Sequence, residues 1–169
     1  MRILVVEDTV MMAKTFIDML QSAGHQVDWV IGFERVKRVR NPICTAPDGS
    51  KLVVDASQYD LVLMDGDLKG KITGDCGVPA FTSKGAVCFG TSTMSEMNDE
   101  MIKAGAVHAA TKVTIYFALY HGRVKAEDLV ACSFETRARL SAAQTECKNN
   151  RELRKAAEQF LLEHVPTEK

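Results

Sequence analysis

Short apolar runs alternate along the chain with longer amphipathic stretches. Arg2–Val6 (R-I-L-V-V) and Leu61–Met64 are the clearest runs. Each is bounded by polar residues and too short for a helix, so each predicts a buried strand. After the first run, Ala13, Phe16, Ile17 and Leu20 recur at helical spacing, with Thr9 as a candidate N-cap and Gly24 as a stop. His25–Val30 predicts another strand, with Val27, Trp29 and Ile31 alternating. His25 itself reads as a surface residue, since no partner stands at metal-ligand spacing. Gly32–Arg40 predicts a short basic helix. Pro47-Asp48-Gly49, between Ile43–Thr45 and Lys51–Val54, predicts a surface hairpin spanning about residues 41–56.

Past Leu61–Met64 the pattern repeats. Lys69–Ser83 is glycine-rich and contains Pro79, which predicts a short or broken helix at Val78–Ser83 with the proline in its first turn. Ala86–Gly90 predicts a fourth buried strand. Met94, Met97, Met101 and Ile102 then form a helical stripe closed by Gly105, and Ala106–Ala110 is a weak fifth strand. Val113–Tyr120 leaves strand and helix both open, and its place in the alternation favours helix. Beyond Arg123 the composition turns to helix formers. Leu129, Cys132, Leu140, Ala143 and Cys147 fit one stripe; Leu153, Ala157, Phe160, Leu161 and Val165 fit another.

Five rounds of strand and helix predict an α/β protein with a parallel sheet covered on both faces. The length of 169 residues suits one domain with an appendage. A net charge of -1 gives no bulk argument for nucleic acid or anionic membrane as a partner. Arg35, Lys37, Arg38 and Arg40 read most simply as a solvated face. Five cysteines, odd in number and without a C-x-x-C pair, read as buried small hydrophobes in a reducing cytoplasm. The opening apolar run is too short for a signal peptide, and no run is long enough to span a bilayer.

Right-handed crossovers place the carboxyl ends of all the strands on one edge. That edge collects Glu7-Asp8, Asp65, Thr91 and Lys112, each at or just past a strand end. Three crowded carboxylates raise one another's pKa unless a cation lies among them, and hard oxygen ligands suit Mg²⁺. One carboxylate could then attack phosphorus, with the ammonium and the hydroxyl serving the phosphoryl oxygens.

On these residues the chain resembles the receiver domain of two-component response regulators, over roughly residues 1–122. The family's acidic pair matches Glu7-Asp8, its phosphoacceptor matches Asp65 in D-L-V-L-M-D, its hydroxyl matches Thr91, and its lysine matches Lys112. The resemblance implies a flavodoxin-like, doubly wound, five-stranded sheet of order 2-1-3-4-5, followed by extra C-terminal helices over 123–169. It implies Mg²⁺ held by Asp8 and Asp65 directly, by Glu7 through water, and by the backbone carbonyl of Asp67. It implies a histidine kinase or phosphotransfer protein as phosphodonor. Output would pass through protein contacts, by the face of helix 4, strand 5 and helix 5 or by the C-terminal helices. Neither DNA nor membrane is expected as a partner, and the chain is not expected to be an enzyme beyond its own phosphorylation and dephosphorylation.

Several positions depart from the family. Val113 follows Lys112 where the family has proline, so either a trans loop or a strained one is expected. Ala109 stands at the aromatic switch position, and the neighbouring His108 reads as an ordinary strand-end residue. Thr93 and Asp67 stand at the positions that, in the family it resembles, flank the path of hydrolytic water. Lys69 replaces a loop proline, the third helix is eroded, and the second is shortened. Two other readings stay open: a haloacid-dehalogenase-type Mg²⁺-dependent phosphatase, echoed by Asp65-Gly66-Asp67, and a receiver-like scaffold that is not phosphorylated.

Overall fold

The structure is a computed structural model and describes residues 1–37 and 40–150. Five parallel strands form the central sheet: β1 (Arg2–Val6), β2 (Gln26–Val30), β6 (Leu61–Asp65), β7 (Val87–Thr91) and β8 (His108–Ala110). Their spatial order is β2-β1-β6-β7-β8. The strands β3 to β5 belong to a second sheet, so this is the doubly wound 2-1-3-4-5 order. Strand β6 is buried along its whole length, and β1 over all but its first residue. A central parallel strand covered on both faces has no polar side to show, which is why both read as continuous apolar runs.

The two faces carry separate cores. One joins Ile3, Val5, Leu61, Leu63 and Phe89 to α1 (Val10–Ser22) and α4 (Lys112–Tyr120) through Phe16, Leu20 and Ile115. The other joins Leu4, Val6, Val62 and Met64 to α2 (Gly74–Thr82) and α3 (Ser95–Lys103) through Val78, Phe81 and Met101. Val113–Tyr120 is thus helical, the state its place in the alternation favours, and Thr9 and Gly24 bracket α1 as the sequence predicts.

The crossover from β2 to β6 differs from expectation. Gly32–Lys37 is a strand, β3, and not a basic helix. It pairs antiparallel with β4 (Arg40–Thr45), which pairs with β5 (Lys51–Val53) around the predicted Pro47-Asp48-Gly49 turn. The second helix is therefore replaced by a three-stranded meander and the short 3-10 turn Ala56–Gln58, not merely shortened. Tertiary contacts decide this. Phe33 turns inward against Phe81 of α2, while outward-facing Glu34 binds Thr45 and Lys51 across the strands.

Other boundaries shift too. Helix α2 begins at Gly74, four residues before the expected Val78, and Pro79 lies in its interior instead of its first turn. In α3, Met101 is fully buried, but Met94 and Ile102 are 46% and 41% exposed, so the stripe is narrower than its spacing suggested. Cys76 is exposed, contrary to the expectation for the cysteines, while Cys44, Cys88 and Cys132 are buried. The side chain of His25 is only 7% exposed and sits 3.7 Å from Glu127, so it is not a surface group. The stripe through Leu129 and Leu140 is divided between α5 (Ala126–Ala131) and α6 (Phe134–Asn149). The break falls at Cys132, whose φ of 41° lies in the left-handed region. The stripe through Leu153 and Phe160 falls outside the described residues. Among those described, no helix is long and apolar enough to cross a membrane.

Candidate functional site at the carboxyl edge of the sheet

Each predicted site residue is placed by a strand end. Glu7 follows β1 directly: its N–H donates to Val30 C=O at 3.1 Å and its C=O accepts from Trp29 Nε1 at 2.7 Å. Those two bonds lock its backbone to β2, and its side chain is buried. Asp65 is the last residue of β6, in register with Thr91 at the end of β7; both are buried. Lys112 opens α4 behind Thr111, whose hydroxyl caps the helix by accepting from Thr114 N–H.

The ligand atoms of Glu7, Asp8 and Asp65 lie within 4.8 Å of one another. Lys112 Nζ reaches into them, donating to Asp65 Oδ2 at 2.8 Å and to Glu7 Oε1 at 3.0 Å. Glu7 Oε2 lies 2.9 Å from the same ammonium but outside hydrogen-bonding geometry, so this buried oxygen accepts no bond. Asp65 Oδ1 accepts the Asp67 N–H at 3.2 Å, and Asp8 Oδ2 accepts the Lys69 N–H at 2.7 Å.

Electrostatically the pocket is unbalanced. With all groups ionised, three carboxylates face one ammonium. Burial, then the neighbouring Glu7, push the Asp65 carboxyl up to about 7 against the pull of Lys112. For Lys112, burial works against the charge, but Glu7 and Asp65 outweigh it and hold the ammonium above its ordinary range. A cluster short of positive charge and built of hard oxygen donors within 4.8 Å of one another suits a divalent cation.

Thr91, Asp65 and Lys112 are thus brought together with the acidic pair. The Asp67 carboxylate is exposed and stands apart from the cluster; only its N–H touches Asp65. No cis peptide bond occurs among the described residues, so the Lys112–Val113 bond is trans. His108 packs edge-on against Phe89 with ring centroids 5.7 Å apart, and burial lowers its pKa. Sequence reasoning missed Lys69, whose only signal is its backbone, and Asn98, whose amide bonds both backbone groups of Ser92.

The doubly wound sheet with an acidic pocket at its carboxyl edge is similar to solved receiver domains. The non-phosphorylated HemR receiver domain from Leptospira biflexa matches with a TM-score of 0.54 at 18% identity, over 78% of this chain and 95% of that one. The BeF3-activated N-terminal receiver domain of RstA from Klebsiella pneumoniae matches with a TM-score of 0.52 at 16% identity, over 83% and 98%. A response regulator from Burkholderia pseudomallei with a phosphorylated aspartic acid, calcium ion and citrate matches with a TM-score of 0.51 at 14% identity, over 88% and 75%. The chain therefore has the response-regulator receiver fold. No protein-family model matches the sequence, and no curated relative matches it either.

Proposed function

We propose that this protein is a phosphoacceptor response regulator of a two-component or phosphorelay system. It carries a phosphoryl group on Asp65 and signals through protein–protein contacts, in the cytoplasm. The observation that carries the reading is the buried Asp65 carboxylate, which shares a single ammonium with Glu7 at the carboxyl edge of a receiver fold.

Asp8, Asp65 and Glu7, with the backbone carbonyl of Asp67, would hold Mg²⁺. Bound there, the ion would neutralise the carboxylates and the equatorial phosphoryl oxygens. Asp65 attacks the phosphorus of a phosphohistidine on a kinase or phosphotransfer protein. An O–P bond forms, the P–N bond breaks, and the imidazole leaves with the electron pair. Lys112, freed from sharing itself between two carboxylates, offsets charge on the transferred group, and the Thr91 hydroxyl donates to one of its oxygens. Residues 1–122 form the receiver in this reading and 123–169 an extension. Val124, Leu129, Leu140 and Ala143 share a core with Ile3, Phe16 and Ile115, which supports α5 and α6 acting as a cap on the receiver.

Incubation with acetyl phosphate and Mg²⁺ should add one phosphoryl group per chain by intact mass, and Asp65→Asn should add none. Labelling of that variant at the wild-type level would overturn the assignment. Steady turnover of small phosphomonoesters would instead favour a phosphatase.

A further inference from the structure

We propose that Asn98 is the positioning residue that couples Thr91 to helix α3. The inference rests on the function proposed above. It concerns the step after phosphoryl transfer, for which the family's aromatic switch is unavailable in this chain.

Three observations carry it. First, β8 ends its pairing with β7 at Thr91↔Ala110, so the next residue, Ser92, has no strand partner on that side. Asn98 takes that place. Its Oδ1 accepts the Ser92 N–H and its Nδ2 donates to the Ser92 C=O, each at 3.1 Å. Ser92 is fully buried and Asn98 8% exposed, so water does not compete for these bonds. An asparagine amide carries a donor and an acceptor side by side, as a backbone strand does, and therefore extends the β7 ladder into the side chain of a helix.

Second, the same turn packs on the acceptor loop. A Cβ at Gly66 would come within 2.9 Å of Met97 Cβ and 3.1 Å of Ser92 Cβ. Ser92 Oγ also accepts the N–H of Met94, the N-cap of α3, at 3.2 Å. Gly66, Ser92 and the first turn of α3 therefore move together or separate at a cost. Third, the site of the missing ring is filled from α3. A Cβ at Gly90 would meet both Ala109 Cβ, at 2.8 Å, and Met101 Cε, at 2.7 Å. The Met101 thioether covers this part of β7 and β8, leaving no ring to swing.

Movement of Thr91 toward a group on Asp65 draws the Thr91–Ser92 peptide with it. That peptide must then break two buried hydrogen bonds or carry Asn98, and with it α3. The exposed Met94 and Ile102 of α3 lie on the element that moves.

The test is backbone and side-chain amide NMR with Mg²⁺ and beryllofluoride. In the wild type, amides at Gly66, Thr91 and Glu96–Lys103 should shift together, and the Asn98 side-chain NH₂ should stay protected from exchange in both states. In Asn98→Asp, which keeps the acceptor and loses the donor, and in Asn98→Ser, the Gly66 shift should persist while the α3 shifts fall about threefold or more. Equal α3 shifts in wild type and variants would overturn the coupling and leave the proposed function standing. So would loss of Asn98 NH₂ protection in a wild type whose α3 still shifts, a readout that does not depend on the variants folding. A wild type indifferent to Mg²⁺ and beryllofluoride at Gly66 would overturn the proposed function itself, and the coupling with it.

Discussion

In metal-free buffer near pH 8, Lys112→Met should destabilise the protein by about 3–5 kcal/mol, whereas Asp65→Asn should stabilise it by roughly 1–3 kcal/mol. Opposite signs follow from the pocket's charge count. Among the described residues Lys112 Nζ is the one cation bonded to both Glu7 and Asp65, so its removal leaves two buried carboxylates facing each other. Removing Asp65's charge leaves Glu7 and Lys112 as a matched pair. A carboxyl whose folded value is about 7, against an ordinary 3.8, gives up about 4 kcal/mol once ionised, of which the weaker Asn–Lys bond takes back part.

The pH dependence separates this explanation from simple loss of packing. Because the folded value of Asp65 is raised, its contribution is fully present below about 3.8 and is lost as pH climbs through about 7. The advantage of Asp65→Asn should therefore be near zero at about pH 4 and complete by about pH 8. The cost of Lys112→Met should likewise shrink in acid, where Asp65 is protonated. Urea melts at both ends of that range, in chelator, measure both. Mg²⁺ at about 100 times its dissociation constant should add about 2.7 kcal/mol to the wild type, and less to Asp65→Asn, which loses a proposed ligand. A pH-independent gap between wild type and either variant would count against the electrostatic account.

Legibility in the sequence tracks how local each determinant is. The central strands were readable because burial on both faces leaves a run such as Leu61–Met64 uniformly apolar. Glu7, Asp8, Asp65, Thr91 and Lys112 were readable because crossover handedness carries every strand end to one edge, whatever the helices do. The β2–β6 crossover was not. Residues 32–37 carry charges at spacings that suit a helix surface, and only the pairing of Phe33 with Cys44 and of Arg35 with Ile43 makes them a strand. The Ser92–Asn98 clamp was hidden for a related reason, since an asparagine in a helix's first turn resembles a solvated residue until the neighbouring loop is in place. Cys132 gave no warning either: a non-glycine residue with positive φ interrupts an otherwise continuous stripe.

Glycine caused the other misreading, and it supports a sharp contrast between two substitutions. The glycine-rich segment predicts a short or broken helix from Val78, and the helix is short but begins earlier, with Gly74 and Gly77 both in α2, three residues apart on one face. A Cβ at Gly74 would stand 1.9 Å from the backbone oxygen of Asp65, and one at Gly77 2.5 Å from the ring of Phe33. The glycines are there so that α2 can lie against the Asp65 strand and under the meander. Gly77→Ala pushes on a ring that can turn, and alanine recovers up to about 1 kcal/mol of helix propensity, so its net cost should be only about 1–2 kcal/mol. Gly74→Ala pushes on the backbone of Asp65, which β7 pairs from the other side. With nothing able to yield, it should cost roughly 3 kcal/mol or more. It should also displace Asp65 from Lys112, so that the fraction still folded labels with acetyl phosphate at least about tenfold more slowly than Gly77→Ala at matched stability. Similar melting and labelling for the two variants would mean that α2 does not bear on the Asp65 strand.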